Sequence, residues 1–152
     1  APDIVARGMN QHTGATWPVS AEAKALHTKL TVMDLHADTL MWKRDLLSET
    51  SDGHVDLKRL EAGNVALQVF SSVTKTPRGQ NYEKNSGDTD NITPLVIGQL
   101  QPARTWFSLL ERSLFHAEKL HDVERRAAGR LRIIKTPDDL ARLLADRAAG
   151  KK

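Results

Sequence analysis

Cysteine is absent from all 152 residues, which excludes a disulfide scaffold, a thiolate metal site and a cysteine nucleophile. Its absence leaves the compartment open, cytoplasmic or oxidising. No apolar run approaches the roughly 20 residues of a membrane-spanning helix. No signal peptide is written into the sequence, but the chain opens Ala1-Pro2-Asp3 rather than with Met. A removed initiator Met, a removed tag, and a removed signal peptide with a periplasmic or secreted destination all stay open. A Gly-rich phosphate loop and a Gly-x-Ser-x-Gly nucleophile elbow are missing as well. An excess of one charge is also missing. The net charge of +3 comes from interleaved acids and bases, too little to indicate a nucleic-acid partner.

What is present fits one soluble domain. With 39% apolar and 27% charged residues, the chain can bury a core. At 152 residues it is shorter than the roughly 250 of a full (β/α)8 barrel. Residues 1–19 read as an irregular lead-in. Ser20 then caps a helix from Ala21 to about Leu30. From residue 31 the order is strand (Val32–Leu35), loop (41–53), helix (Leu57–Ala62, Asp56 before it and Gly63 closing it), strand (Val65–Phe70). That order predicts parallel α/β architecture. Residues 74–102 form a long polar insertion. A long amphipathic helix is predicted from about Ala103 to Ala127, with Trp106, Leu109, Leu110, Leu114, Ala117 and Leu120 as its apolar face. Leu131–Ile134 is a short strand candidate, and Thr136-Pro137-Asp138-Asp139 starts a final helix that ends at Gly150.

The segment with the most chemistry is Val32-Met33-Asp34-Leu35-His36-Ala37-Asp38-Thr39-Leu40. Side chains two apart on a strand share a face. His36 and Asp38 are therefore expected to aim an imidazole nitrogen and a carboxylate at one point, which is half of a metal site for zinc or a similar ion. The alternative is a strand-end pair bonded to nearby backbone. His54-Val55-Asp56 repeats the pattern just before a helix, where Asp56 is better explained as a cap. His116 and His121 lie five apart on one helix, which does not stack them for a helical zinc pair. Asp88-Thr89-Asp90-Asn91 lacks the Gly and the twelfth-position Glu of a calcium loop and reads as a solvated turn. The five basic residues between Arg125 and Lys135 read as a solvated face.

Two blocks resemble a known family. Asp34-Leu35-His36-Ala37-Asp38 resembles the opening Asp-Gly-His-x-Asp motif of the membrane (renal) dipeptidases and their bacterial relatives. The run from His54 to Ser71, HVDLKRLEAGNVALQVFS, is similar to that family's His-x-Asp-Leu-x-Arg-Leu-x-x-Gly-x-Val-x-x-Gln-x-Phe/Trp-Ser. A weaker likeness is the long helix followed by Ile-x-Thr-x-x-Asp-Leu. Leu35 stands where the family usually has Gly, and Ala66-Leu67 where it has small residues. The likeness covers roughly residues 30–152, with 74–102 poorly matched.

The resemblance implies the N-terminal part of a (β/α)8 TIM barrel of the metal-dependent hydrolase superfamily, incomplete within these residues. Residues 1–30 would be the lead-in, and 31–152 the first strands and helices. It implies zinc, two ions in the complete protein, with His36 and Asp38 as the first-strand ligands. A bridging Glu, two further His and a catalytic Asp would come from later strands, outside this chain. The implied reaction is hydrolysis of dipeptides by a metal-activated water. The remainder of the barrel would be a missing segment or a second chain, and a homo-oligomer stays open. Two other readings also remain. One is a non-peptide amidohydrolase of the same superfamily, which His-x-Asp in place of His-x-His argues against. The other is an inactive barrel fragment kept for binding or structure.

Overall fold

A computed structural model of the chain describes residues 2–11, 14, 16–50 and 52–151. Helix α1 spans Pro2–Met9, α2 spans Ala21–His27, and strand β1 spans Val32–Ala37. Helix α3 spans Leu57–Ala62, β2 spans Val65–Phe70, and α4 spans Ile92–Gly98. Helices α5, Leu109–Arg126, and α6, Pro137–Ala148, complete the order. The two strands pair in parallel, with Val32 opposite Val65, Asp34 opposite Gln68 and Ala37 opposite Phe70. The chain is therefore mixed α/β, with a two-stranded parallel sheet.

Local signals placed most of these elements. Ser20 Oγ accepts from Ala23 N–H at 3.2 Å, Asp56 Oδ1 accepts from Arg59 N–H at 2.8 Å, and Thr136 and Asp139 form a reciprocal capping box. Asn64 sits at the N-terminal end of the sheet in the left-handed region, φ 55°. Its Nδ2 donates to His27 O at 2.9 Å and Leu30 O at 3.1 Å. The same side chain accepts from Arg147 of α6, so one residue ties α2, β2 and α6 together.

Four expectations are corrected. Part of the lead-in is the helix α1, which seats buried Ala6 inward and is held where Gln99 Nε2 donates to Pro2 O at 3.1 Å. The 74–102 insertion contains α4, whose Pro94 lies in the first turn, where a missing N–H costs nothing. Ile92 and Val96, four apart, are its buried side. Leu131–Ile134 has no ladder partner among the described residues. Its backbone is held instead by Glu124, which accepts from Ile133 N–H at 2.7 Å.

The fourth correction concerns α5, which starts at the Ser108 cap, after a turn of 3-10 helix at Ala103–Thr105. Its inward face is not the predicted one. Arg112, His116 and Val123 are buried, while Leu109, Leu110 and Leu114 are exposed. Arg112 turns inward because the Thr74 carbonyl and the Asp90 carboxylate are there to receive it, and His116 because it meets Ser72 Oγ. The small apolar core, Leu40, Leu46 and Val123 with Phe70 and Leu120 packed against it, lies beneath the C-terminal end of the sheet.

Candidate metal centre

β1 runs two residues beyond its expected end and stops at Asp38, where φ −90° and ψ 22° turn the chain into a 3-10 turn, Thr39–Met41. His36 is thus the penultimate strand residue and Asp38 the first residue past it. Their side chains converge, with His36 Nε2 3.0 Å from Asp38 Oδ1 and 70% and 42% of the two side chains exposed. A ligand can reach both. Two ligand atoms at about 2.1 Å from one tetrahedral ion stand about 3.4 Å apart. The observed spacing and the nitrogen–oxygen donor set suit one imidazole and one carboxylate on a single ion. Among the described residues, no group of three or more His, Cys, Asp or Glu is placed to hold a metal.

The surroundings fix this corner from both strands. Asp34 Oδ1 accepts from the backbone N–H of His36 at 3.1 Å. That hydrogen bond, helped by Gln68, holds the Asp34 carboxyl below the usual range. Past the end of β2, Ser71 N–H donates to Ala37 O at 3.0 Å, and the Ser71 hydroxyl bonds to Asp38 Oδ1. The next residue, Ser72, places its Oγ 3.0 Å from His116 Nδ1.

The loop after Asp38 is pinned from below. Lys119 Nζ donates to Leu40 O at 2.6 Å and also to Trp42 O. Gln101 Nε2 donates to Met41 O at 2.8 Å, and Gln99 Oε1 accepts from Lys43 N–H at 2.9 Å. Burial, with the nearby charge of Arg44, pushes Lys119 down to about 8. Burial, with the charges of Lys119 and Arg112, pushes His116 down to about 4. At neutral pH His116 is therefore uncharged, and its Nε2 has no hydrogen-bond partner among the described residues.

The other candidates separate. His54 is exposed on the loop before α3, and Asp56 caps that helix, as its context predicted. His116 is buried, whereas His121 is exposed beside Glu124 at 3.5 Å, so the two do not form a pair. The basic run is a solvated face of ion pairs, with Arg126 on Asp45 and Asp122, and Arg130 on Glu61. Asp90 departs from the solvated-turn reading. It accepts from Ile92 N–H at 2.7 Å and Thr93 Oγ1 at 2.8 Å, and pairs with Arg112 at 2.8 Å. Burial would raise its carboxyl, but these donors outweigh it and hold Asp90 at about 2.

Sequence reasoning passed over Ser71, Ser72, Arg112, His116 and Lys119 as parts of this corner. For the two serines a signal existed. They follow β2 just as Asp38 follows β1, and parallel strands in register bring such positions together. For Arg112 and Lys119 the signal was only their place opposite the leucine stripe of α5.

In comparisons with known proteins, the family described as Membrane dipeptidase (Peptidase family M19) matches residues 20–150. No curated protein and no solved structure matches the chain.

Proposed function

The chain belongs to the membrane dipeptidase family, and from that premise we propose that it is the first part of a zinc-dependent dipeptidase. Membership makes it part of a family of peptide hydrolases. The finer reading assigns His36 and Asp38 as the first-strand ligands of a site that holds two zinc ions in the complete protein. The observation that carries it is the 3.0 Å approach of His36 Nε2 to Asp38 Oδ1 at the end of a parallel strand, the edge of an α/β sheet where such sites are built.

The ion would act as a Lewis acid on the peptide carbonyl and lower the pKa of water. The chain's own part is to hold and orient. His36 presents Nε2, and Asp34 steadies the backbone from which it projects. Asp38 presents a carboxylate whose loop is anchored by Lys119, Gln99 and Gln101. The group that manages the proton would come from a later strand.

The barrel is likewise a proposal, supported by what the sheet leaves uncovered. Parallel sheets are ordinarily buried on both faces, yet Met33 and Leu35 of β1 are exposed. β2 borders a groove of about 770 Å³ lined by Val65, Leu67, Val69, Leu131 and Ile133. A further parallel strand, from the same chain or a second one, would fill that groove, and more helices would cover the leucines of α5. The test is dipeptide hydrolysis by the complete protein before and after chelation. Hydrolysis that chelator abolishes and zinc restores is expected. Hydrolysis indifferent to chelator would overturn the metal reading, and a folded protein that hydrolyses no dipeptide would overturn the activity.

A further inference from the structure

We infer that Ser71 is the positioning residue of this site, holding the Asp38 carboxylate in the orientation that receives a metal ion; the inference rests on the metal reading of His36 and Asp38. Ser71 N–H donates to Ala37 O at 3.0 Å, fixing Ser71 against the end of β1. The hydroxyl has a single proton and two acceptors near it, Ala37 O at 3.2 Å and Asp38 Oδ1. Ala37 O already receives the backbone N–H, and a carboxylate is the stronger acceptor. The proton therefore goes to Asp38.

The imidazole of His36 cannot take over this role in a metal-bound site. Among the described residues, the hydrogen-bond donor to Asp38 Oδ1 is Ser71 Oγ, while His36 Nε2 stands 3.0 Å from the same oxygen as an ion-pair contact. A metal-ligating imidazole gives its lone pair to the ion and cannot donate from that nitrogen. Once His36 serves as a ligand it has no proton on Nε2 to offer Asp38, and Ser71 is the donor among the described residues that orients the carboxylate. Asp38 would otherwise rotate freely about its χ angles, because it stands past the last strand residue in a half-exposed position. Hydrogen-bonded partners of metal ligands set ligand orientation, and their loss typically lowers affinity about 10- to 100-fold.

The test is zinc affinity of the metal-stripped complete protein, titrated against a chromophoric chelator, with the visible spectrum of the Co²⁺ form as a second readout. Ser71→Ala is expected to weaken zinc binding about 10- to 100-fold and to alter the Co²⁺ spectrum, with thermal unfolding of the metal-free protein unchanged. Ser71→Thr, which keeps the hydroxyl, is expected to restore the affinity. Wild-type affinity in Ser71→Ala, while His36→Ala and Asp38→Ala lose zinc, would overturn the role of Ser71 and leave the metal reading standing. A Ser71→Thr variant as weak as Ser71→Ala would also count against the hydroxyl. Unchanged zinc binding in His36→Ala and Asp38→Ala would remove the metal reading and this inference with it.

Discussion

Arg112 Nη1 lies 2.8 Å from Asp90 Oδ2, and Arg112 also donates through Nε to Thr105 O at 2.8 Å and through Nη2 to Thr93 Oγ1 at 2.6 Å. One guanidinium on α5 thus fastens two points of the long insertion, Asp90 and Thr93, and the 3-10 turn that precedes the helix. Removing one partner of a buried pair leaves the other uncompensated. Arg112→Ala is expected to lower unfolding stability by about 3 kcal/mol, read as a shift in urea midpoint. Asp90→Asn keeps one oxygen acceptor and should cost about 1–2 kcal/mol.

His116 makes stability depend on pH. Its folded-state value of about 4 is below its ordinary value of 6.5, so between those two values the unfolded chain binds more protons. Stability therefore rises with pH in that window and is lost as pH falls from 6.5 towards 4. The loss is about 3 kcal/mol at 1.36 kcal/mol per unit. His116→Gln should flatten this part of the profile, measured as urea midpoints from neutral to acid. An unchanged slope would show that other groups carry it.

Gly53 has φ +80°, and a Cβ added there would lie 1.4 Å from Arg44 Nη1. Arg44 itself donates from Nη1 to Asp52 O at 3.0 Å. Gly53→Ala is expected to cost about 1–3 kcal/mol from backbone strain, with a further loss from displacing the guanidinium. Adding Arg44→Ala removes the collision but not the strain. The pair should therefore cost less than the sum of the two single changes, by thermal unfolding.

These expectations separate what could be read along the chain from what could not. Ser20, Asp56 and Thr136 were legible because a cap is a contact over three residues. β2 was legible in its β-branched run and β1 in all but its last two residues. The convergence of His36 and Asp38 followed from strand periodicity, although Asp38 proved to lie just past the strand. Hydrophobic periodicity misjudged α5 because it assumes an apolar interior. There the inward side chains Arg112 and Lys119 find carbonyls of Thr74, Leu40 and Trp42, brought by segments distant in sequence. Gly8 masked α1 and Pro94 masked α4, because each breaks the composition of a helix without breaking its hydrogen bonds. Asp90 looked solvated because its partner is 22 residues away.

The claim on which the account turns is that His36 and Asp38 hold a metal ion. Its most direct measurement is zinc content by elemental analysis of the complete, folded protein and of its His36→Ala and Asp38→Ala variants. The account predicts about two zinc ions per chain in the wild type and the loss of at least one in each variant. Equal zinc in all three proteins, or none in a folded wild type supplied with zinc, would contradict it.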